Sequence, residues 1–176
     1  AGTDPRGRRL AFEYLDMLAR GQWSRRGRID DSVVGLLIHV ALDHRDEELR
    51  WAARRTMLAL AERWPALAPK AAQVFAACLL TSKERPPVKF RAIAALRESG
   101  RPVALTVLLD FVKKMGRALE GEERADLMRE GIEALVFLAI KHRQTAEALE
   151  ALGRVLLVPQ MPQGVRDAVV DGLNKL

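Results

Sequence analysis

One helical stripe of residues recurs along the chain about every 39 positions, and this recurrence constrains the fold more than any other feature of the sequence. The stripe starts at an apolar residue and continues four, seven and eight positions further on, which places its members on one face of an α-helix. Small residues stand at several of the middle positions, so a neighbouring helix can approach closely. The pattern therefore predicts five helices that pack in one common way. The copies start at Leu10, Leu49, Val88, Leu127 and Val165.

The sequence between these copies predicts further amphipathic helices, bounded by capping residues, prolines and glycines. Either Asp31 or Ser32 is the predicted N-cap of the second helix. Asp46 is the predicted N-cap of the third, and Thr145 that of the eighth. Pro86 is predicted to open the fifth helix and Gly100 to end it. Pro162 is predicted to open the ninth.

These signals predict an all-α fold of about nine helices. No stretch alternates apolar and polar residues as a half-buried strand does. Each recurring helix after the first follows a non-recurring one, so the structural unit is an antiparallel helical hairpin. Because one hairpin cannot bury its own apolar faces, the hairpins are expected to stack into an α-solenoid.

The recurring helix resembles the second helix of the HEAT repeat family, in which an apolar–basic pair is followed by alanine and leucine at helical spacing. The matching residues are Leu49-Arg50 with Ala53 and Met57, Val88-Lys89 with Ala92, Ala95 and Leu96, and Val165-Arg166 with Val169 and Leu173. The resemblance implies a right-handed α-solenoid in which residues 1–176 form a single domain. It also implies a leading half repeat at 6–21 and repeats at about 30–64, 67–100, 102–142 and 144–176. This pattern identifies an architecture, so function has to be inferred from individual sites.

Composition excludes several classes of protein. An apolar fraction of 49% excludes an intrinsically disordered chain. The single cysteine, Cys78, excludes a disulfide scaffold and is expected to be buried in its Ala/Leu-rich segment. No run of 18 apolar residues exists, so no membrane span and no membrane partner are predicted. We expect a cytoplasmic protein.

The sequence contains no recognisable catalytic or metal-binding motif. The three histidines and one cysteine lack the spacing of a zinc site, and no phosphate-binding glycine loop or activated serine motif occurs. His39 lies in the apolar run of a predicted helix and is interpreted as a structural core histidine. We therefore predict a protein that is not an enzyme and that carries no cofactor or metal.

The candidate binding residues lie on the side of the recurring helices opposite the apolar stripe. In a HEAT-type solenoid these second helices line the concave surface, so Phe12, Trp51 and Phe90 would form an aromatic ladder in a groove. Arg55 flanks this ladder and Arg129 extends it. Large aromatic residues and arginine dominate binding hot spots. The alternative is that neighbouring repeats bury the rings at the seams between them. The acidic residues expected at the far end of the groove are Glu133, Asp167 and Asp171.

Two functions follow from these patterns. The first is a scaffold or adaptor that binds a helix or extended segment of a partner protein in the concave groove. The second is a nucleic-acid-binding protein whose arginines contact phosphates. The mild basic excess, +6, and the acidic end of the groove favour the first. The arginines predicted to bind nucleic acid are Arg8 and Arg9 before the first predicted helix, Arg25 and Arg26 in the following loop, and Arg50 and Arg54 beside Trp51.

Both ends of the predicted solenoid lack a polar capping repeat. A half repeat begins the chain, and Val165, Val169 and Leu173 leave an apolar side at the other end. Solenoids usually need polar caps to remain separate in solution. Dimerisation through an end, or a longer parent chain, is therefore a further expectation.

Overall fold

Every regular element in the described part of the chain is helical. The computed structural model describes residues 5–20, 29–81, 84–115 and 122–176. Within these ranges it contains nine α-helices and no strand, which confirms the all-α prediction. The helices are α1 (Pro5–Ala19), α2 (Asp31–Asp43), α3 (Glu47–Arg63), α4 (Ala68–Leu80), α5 (Pro86–Ser99), α6 (Pro102–Met115), α7 (Glu122–His142), α8 (Thr145–Leu156) and α9 (Gln163–Lys175), with a 3₁₀ turn at Pro65–Leu67.

The chain divides into two compact units, Ala1–Phe75 and Ala76–Leu176, here called unit 1 and unit 2. The boundary lies inside α4. The single domain expected from the sequence stays a prediction.

Unit 1 is organised around α3, which packs against both α1 and α2. Its core contains Leu18, Ala53 and Met57, all completely buried. Burying a leucine or methionine side chain contributes about 1.5–3 kcal/mol. These residues belong to the recurring stripe, which correctly predicted the buried side of α3. In α1 the stripe is only partly correct, because Leu18 is buried whereas Leu10 and Tyr14 are exposed.

In unit 1, one predicted N-cap residue is confirmed and another is wrong. Asp46 is the N-cap of α3, as predicted, because its Oδ1 accepts hydrogen bonds from the backbone N–H groups of Glu48 (3.0 Å) and Leu49 (3.3 Å). The N-cap of α2, however, is Asp30, and neither Asp31 nor Ser32. Its Oδ1 accepts from the Ser32 backbone N–H (2.8 Å) and hydroxyl (2.6 Å).

The first helix begins earlier than the sequence suggested. Because α1 starts at Pro5, Arg8 and Arg9 lie within the helix and do not precede it. Proline is favourable in the first turn, since its missing N–H would have no helical partner there.

Unit 2 is organised around α7, which packs against α5, α6, α8 and α9. The recurring helices α5, α7 and α9 pack in succession, and the intervening helices α6 and α8 pack against each other. The completely buried side chains at the centre are Leu96, Leu108, Phe111, Met128, Leu135 and Leu152. The stacking of these hairpins into a solenoid stays a prediction.

Proline and glycine set several helix bounds of unit 2 as predicted. Pro86 opens α5, and Gly100 ends it in a left-handed conformation with φ of 58°. Pro162 is the N-cap of α9. The N-cap of α8 is Gln144 and not Thr145, and it makes no side-chain capping bond. The thiol of Cys78 is buried, as expected.

Candidate functional site

The exposed side of α7 carries two large apolar side chains, Phe137 and Ile140. Their exposed fractions are 44% and 48%. The exposed residues Arg129 and Glu133 precede Phe137 by eight and four positions, and Ile140 follows it by three, so all four residues lie along one side of the helix. This exposed apolar pair, bordered by charges, is a candidate interaction surface.

An arginine from the neighbouring helix lies over the aromatic ring. The guanidinium carbon of Arg97 on α5 is 5.4 Å from the centroid of the Phe137 ring. A cation–π contact at an exposed site contributes about 0.5–1 kcal/mol, which is enough to restrict both side chains. Phe90, one of the predicted ladder residues, is half-buried on α5.

The helices that flank α7 differ in charge on the side opposite the stripe, where α5 exposes Arg97 and α9 exposes Asp167 and Asp171. Both helices also expose charges of the other sign, which are Glu98 on α5 and Arg166 and Lys175 on α9. The side-chain amide of Gln163 donates to Asp167 Oδ1 at 2.7 Å, which orients that carboxylate. We call this surface of unit 2 the α7 face. Its defining residues are Phe90, Arg97, Arg129, Glu133, Phe137 and Ile140.

The N-terminal end of the α7 face contains a cleft of about 440 Å³ between α7 and α9. Arg129 pairs with Asp126 across one turn of α7, with an Nη2–Oδ1 distance of 3.0 Å. The aliphatic part of its side chain lies against Gly164 at the start of α9. Arg129, predicted as a groove residue, is therefore exposed and held in place at this end.

The other predicted partner-binding residues belong to unit 1. Phe12 is half-buried against the core of that unit, with the guanidinium of Arg8 5.8 Å from its ring centroid. Trp51 is half-buried and Arg55 is exposed, both on α3. The rings of Phe12 and Trp51 thus lie in unit 1 and that of Phe90 in unit 2, and a continuous ladder stays a prediction.

The arginines of the nucleic-acid hypothesis are largely engaged within unit 1. Arg8 Nε lies 2.8 Å from Asp46 Oδ2, and Arg9 Nε donates to Glu13 Oε1 at 2.8 Å, which raises the pKa of Arg9 above its ordinary value. Arg50 Nη1 donates to the carbonyl of His44 at 2.7 Å. Arg54 is only 1% exposed, so its guanidinium is not available to a phosphate at the surface. Arg25 and Arg26 lie outside the described residues.

The expected core position of His39 is wrong. Its side chain is 70% exposed, and its Nδ1 lies 3.5 Å from Asp43 Oδ2. Because α2 is apolar on nearly all sides, its sequence does not reveal which side is buried. The described residues also contain no group of three or more His, Cys, Asp or Glu side chains that could hold a metal ion.

The recurring stripe does not reveal Phe137 and Ile140, because its last member lies eight positions after its first. The two residues lie ten and thirteen positions beyond Leu127, in the last two turns of a 21-residue helix. Continuing the helical wheel to the end of that apolar segment would have placed both residues on the side of Arg129 and Glu133.

Comparisons with protein-family models, with curated proteins and with solved structures found no match for this chain. Among the described helices, none combines the length and the apolar character needed to cross a lipid bilayer. The function is therefore inferred from the described side chains.

Proposed function

We propose that this protein is a HEAT-like α-solenoid adaptor without catalytic activity, which binds an amphipathic segment of a partner protein along the α7 face. The recurrence of one stripe in α1, α3, α5, α7 and α9 supports the repeat architecture. The packing of α5, α7 and α9 in succession, with α6 against α8, is the arrangement that stacked hairpins require.

The exposure of Phe137 and Ile140 next to Arg97 is the observation that carries the binding proposal. Water contact with two large apolar side chains is unfavourable, and a partner that covers them gains about 25 cal/mol for each Å² of apolar surface buried. Aromatic residues and arginine are also the residue types that contribute most to binding hot spots. Arg97, already placed over the Phe137 ring, can donate hydrogen bonds to a carboxylate of the partner without losing that contact.

The charges on either side of the apolar pair favour one direction for the bound segment. Acidic residues of the partner would lie towards α5, near Arg91 and Arg97, and basic residues towards α9, near Asp167 and Asp171. The reverse direction would place like charges together. Phe12, Trp51 and Arg55 are proposed as a second set of partner-binding residues, within unit 1.

A crosslinking experiment tests this function. A photoreactive amino acid replaces Ile140 in one preparation and Leu149 in a second, because Leu149 on α8 has a similar exposed fraction of 40%. Both preparations are irradiated in an extract of the source cells. We expect one protein segment to be crosslinked reproducibly from position 140 and not from position 149.

The crosslinked segment is then synthesised and titrated into purified protein by calorimetry. We expect Phe137→Ala with Ile140→Ala to weaken its binding at least about tenfold, since a tenfold change corresponds to about 1.4 kcal/mol and hot-spot truncations cost at least this much. Leu149→Ala should bind like the wild type. Full-strength binding by the folded double variant would exclude Phe137 and Ile140 as binding residues. If Trp51→Ala and Phe90→Ala also had no effect, the predicted aromatic residues of both units would be excluded.

A further inference from the structure

Unit 2 contains another cleft, which lies where α5 and α7 begin and α6 ends. Its volume is about 440 Å³, within the range of about 300–1,000 Å³ that is typical of small-molecule sites. Leu79 and Leu127 contribute buried apolar surface to it, with exposed fractions of 0% and 4%. None of the described residues that line this cleft belongs to the α7 face. It is therefore a separate candidate site.

Among the described residues, three basic side chains from three different helices line this cleft. They are Lys89 in the first turn of α5, Lys114 in the last turn of α6 and Arg124 in the first turn of α7. Because they come from three helices, the polar outer face of a single helix does not explain their convergence. Cations that converge beside apolar surface are the arrangement expected of a site for an organic anion.

Two of these cations can engage a ligand at little cost. Lys89 is half-buried, and no ion pair joins it to a carboxylate in the described part of the chain. Partial burial of a cation without a counterion is unfavourable, and an anion in the cleft would reduce that cost. Lys114 Nζ lies 2.8 Å from Asp110 Oδ2 on its own helix, and the two side chains are 58% and 41% exposed. Exposed pairs of this kind contribute little, so Lys114 can exchange Asp110 for a ligand.

Recognition at the start of α5 has to come from side chains and not from the helix backbone. Pro86 and Pro87 have no N–H group. The N–H groups of Val88 and Lys89 already donate to the carbonyl of Arg85, at 3.0 and 3.4 Å. The donors that α5 offers to a ligand in the cleft are therefore those of the Lys89 ammonium.

Two carboxylates also line the cleft, and they leave its cations in excess. Glu123 is exposed in the first turn of α7, where the helix dipole favours a carboxylate. Glu84 is only 7% exposed, and its oxygens can accept a hydrogen bond from a hydroxyl or amino group of the ligand. The lining therefore suits a ligand that has an anionic group, an apolar part and a hydrogen-bond donor.

We propose that this cleft binds a small phosphomonoester that carries an aromatic or apolar group. A phosphomonoester has a charge of about −1.5 to −2 at pH 7 and three strong acceptor oxygens, which match three basic side chains. A carboxylate has one charge and two oxygens, and it would leave one of the three cations without a partner. The phosphate would be held by Lys89, Lys114 and Arg124, and the apolar part would lie against Leu79 and Leu127.

Titrations of the full chain, labelled with ¹⁵N and followed by NMR, test the proposal. The probes are adenosine monophosphate and phenyl phosphate. We expect saturable one-to-one binding of both, with a dissociation constant below about 1 mM. The amide signals that shift should belong to residues of the cleft, such as Lys89 and Leu127.

Simpler molecules separate the two parts of the recognition. Inorganic phosphate lacks the apolar group, and adenosine and phenol lack the phosphate. We expect each of them to bind at least about tenfold more weakly than the corresponding phosphomonoester, because each makes only one of the two sets of contacts.

Two neighbouring lysines of α6 provide a matched pair of variants. Lys114 lines the cleft and Lys113 does not, although both are exposed in the last turn of the helix. Lys114→Met should raise the dissociation constant at least about fivefold, and Lys113→Met should bind like the wild type, since a charge-assisted hydrogen bond is lost only in the first. Lys89→Met should weaken binding by at least the same factor, whereas Lys89→Arg keeps the charge and should restore it. Lys114 is exposed, so its variant remains informative even if Lys89→Met fails to fold.

Several results would overturn the proposal. They are no saturable binding of either probe, signal shifts outside the cleft, or equal affinities of Lys114→Met and Lys113→Met. Inorganic phosphate that binds as tightly as the phosphomonoesters would show nonspecific ion binding only. A phosphotyrosine peptide that binds more tightly than both probes would assign the cleft to a phosphorylated protein instead. The variant with Phe137→Ala and Ile140→Ala should bind both probes normally, so this proposal and the proposed function can fail independently.

Discussion

The carboxylate of Asp46 has two contacts that can be separated by mutation. Its Oδ1 caps α3, and its Oδ2 pairs with Arg8 on α1. Asp46→Ala removes both and should lower the free energy of unfolding by about 1–2 kcal/mol, mainly through loss of the cap. Asp46→Asn keeps an acceptor for the cap and should lose less than about 1 kcal/mol, because the pair with Arg8 is partly exposed. Urea unfolding of the three proteins measures both differences, and equal losses would show that the cap contributes nothing.

Asp30 makes the stability of α2 depend on pH. Hydrogen bonds from the hydroxyl and the backbone N–H of Ser32 lower the pKa of Asp30 below its ordinary value of 3.8. A carboxylate whose pKa is lowered by folding stabilises the folded state above its unfolded pKa, and this contribution disappears as pH falls through the folded pKa.

We expect Asp30→Asn to melt at a lower temperature than the wild type at pH 7, because the amide lacks the charge that favours a helix N-terminus. The difference in melting temperature should shrink as the pH falls below 3.8. Thermal unfolding followed by circular dichroism from pH 2 to 7 measures it. A difference that is constant over this range would contradict the assigned role of the charge.

The cap of α2 shows where local sequence reasoning loses accuracy. Asp30, Asp31 and Ser32 are consecutive residues of capping type, and any of them could accept a bond from a nearby backbone N–H. The choice depends on which residue leaves the helical conformation, and Asp30 does so with ψ of 137°. Asp46 stands without such a competitor directly before its helix, and its role was predicted correctly.

Close packing between α6 and α7 depends on a glycine. A methyl group at Gly131 would approach ring atoms of Phe111, with Cδ1 at 2.9 Å, and the ring is completely buried. Gly131→Ala should therefore destabilise the protein by about 1–3 kcal/mol through overpacking. Gly35→Ala is the matched control, because nothing lies within 4 Å of a methyl group there, and it should stabilise α2 by about 0.5–1 kcal/mol. Denaturant unfolding of both variants measures the two effects, and a stabilised Gly131→Ala protein would contradict this packing.

Most helix positions were predictable because their determinants are local. The recurring stripe correctly identified the buried side of α3, α5, α7 and α9, although Leu10 and Tyr14 of its copy in α1 are exposed, and Pro86 and Gly100 correctly bounded α5. The exposed side of a helix is harder to predict, since it depends on which neighbours cover it. For this reason the position of His39 was predicted wrongly, and Phe137 and Ile140 were not recognised.

The net charge of +6 is the property of the entire chain that most favours the competing nucleic-acid function. Several arginines that would carry that function are already bonded to carboxylates or carbonyls of unit 1, and Arg54 is buried. We therefore expect binding to a duplex oligonucleotide no tighter than the nonspecific range of about 10⁻⁴–10⁻⁶ M at physiological salt.

Fluorescence anisotropy with duplex and single-stranded oligonucleotides, at 50 and at 200 mM salt, measures this affinity. The residual binding should fall steeply between the two salt concentrations, because it would come from released counterions and not from base contacts. Arg9→Glu reverses an exposed charge and should weaken it further. Nanomolar affinity that persists at the higher salt would instead favour the nucleic-acid function. In that case the exposed apolar pair on α7 would require a different explanation from the one proposed here, such as stacking with unpaired bases on Phe137.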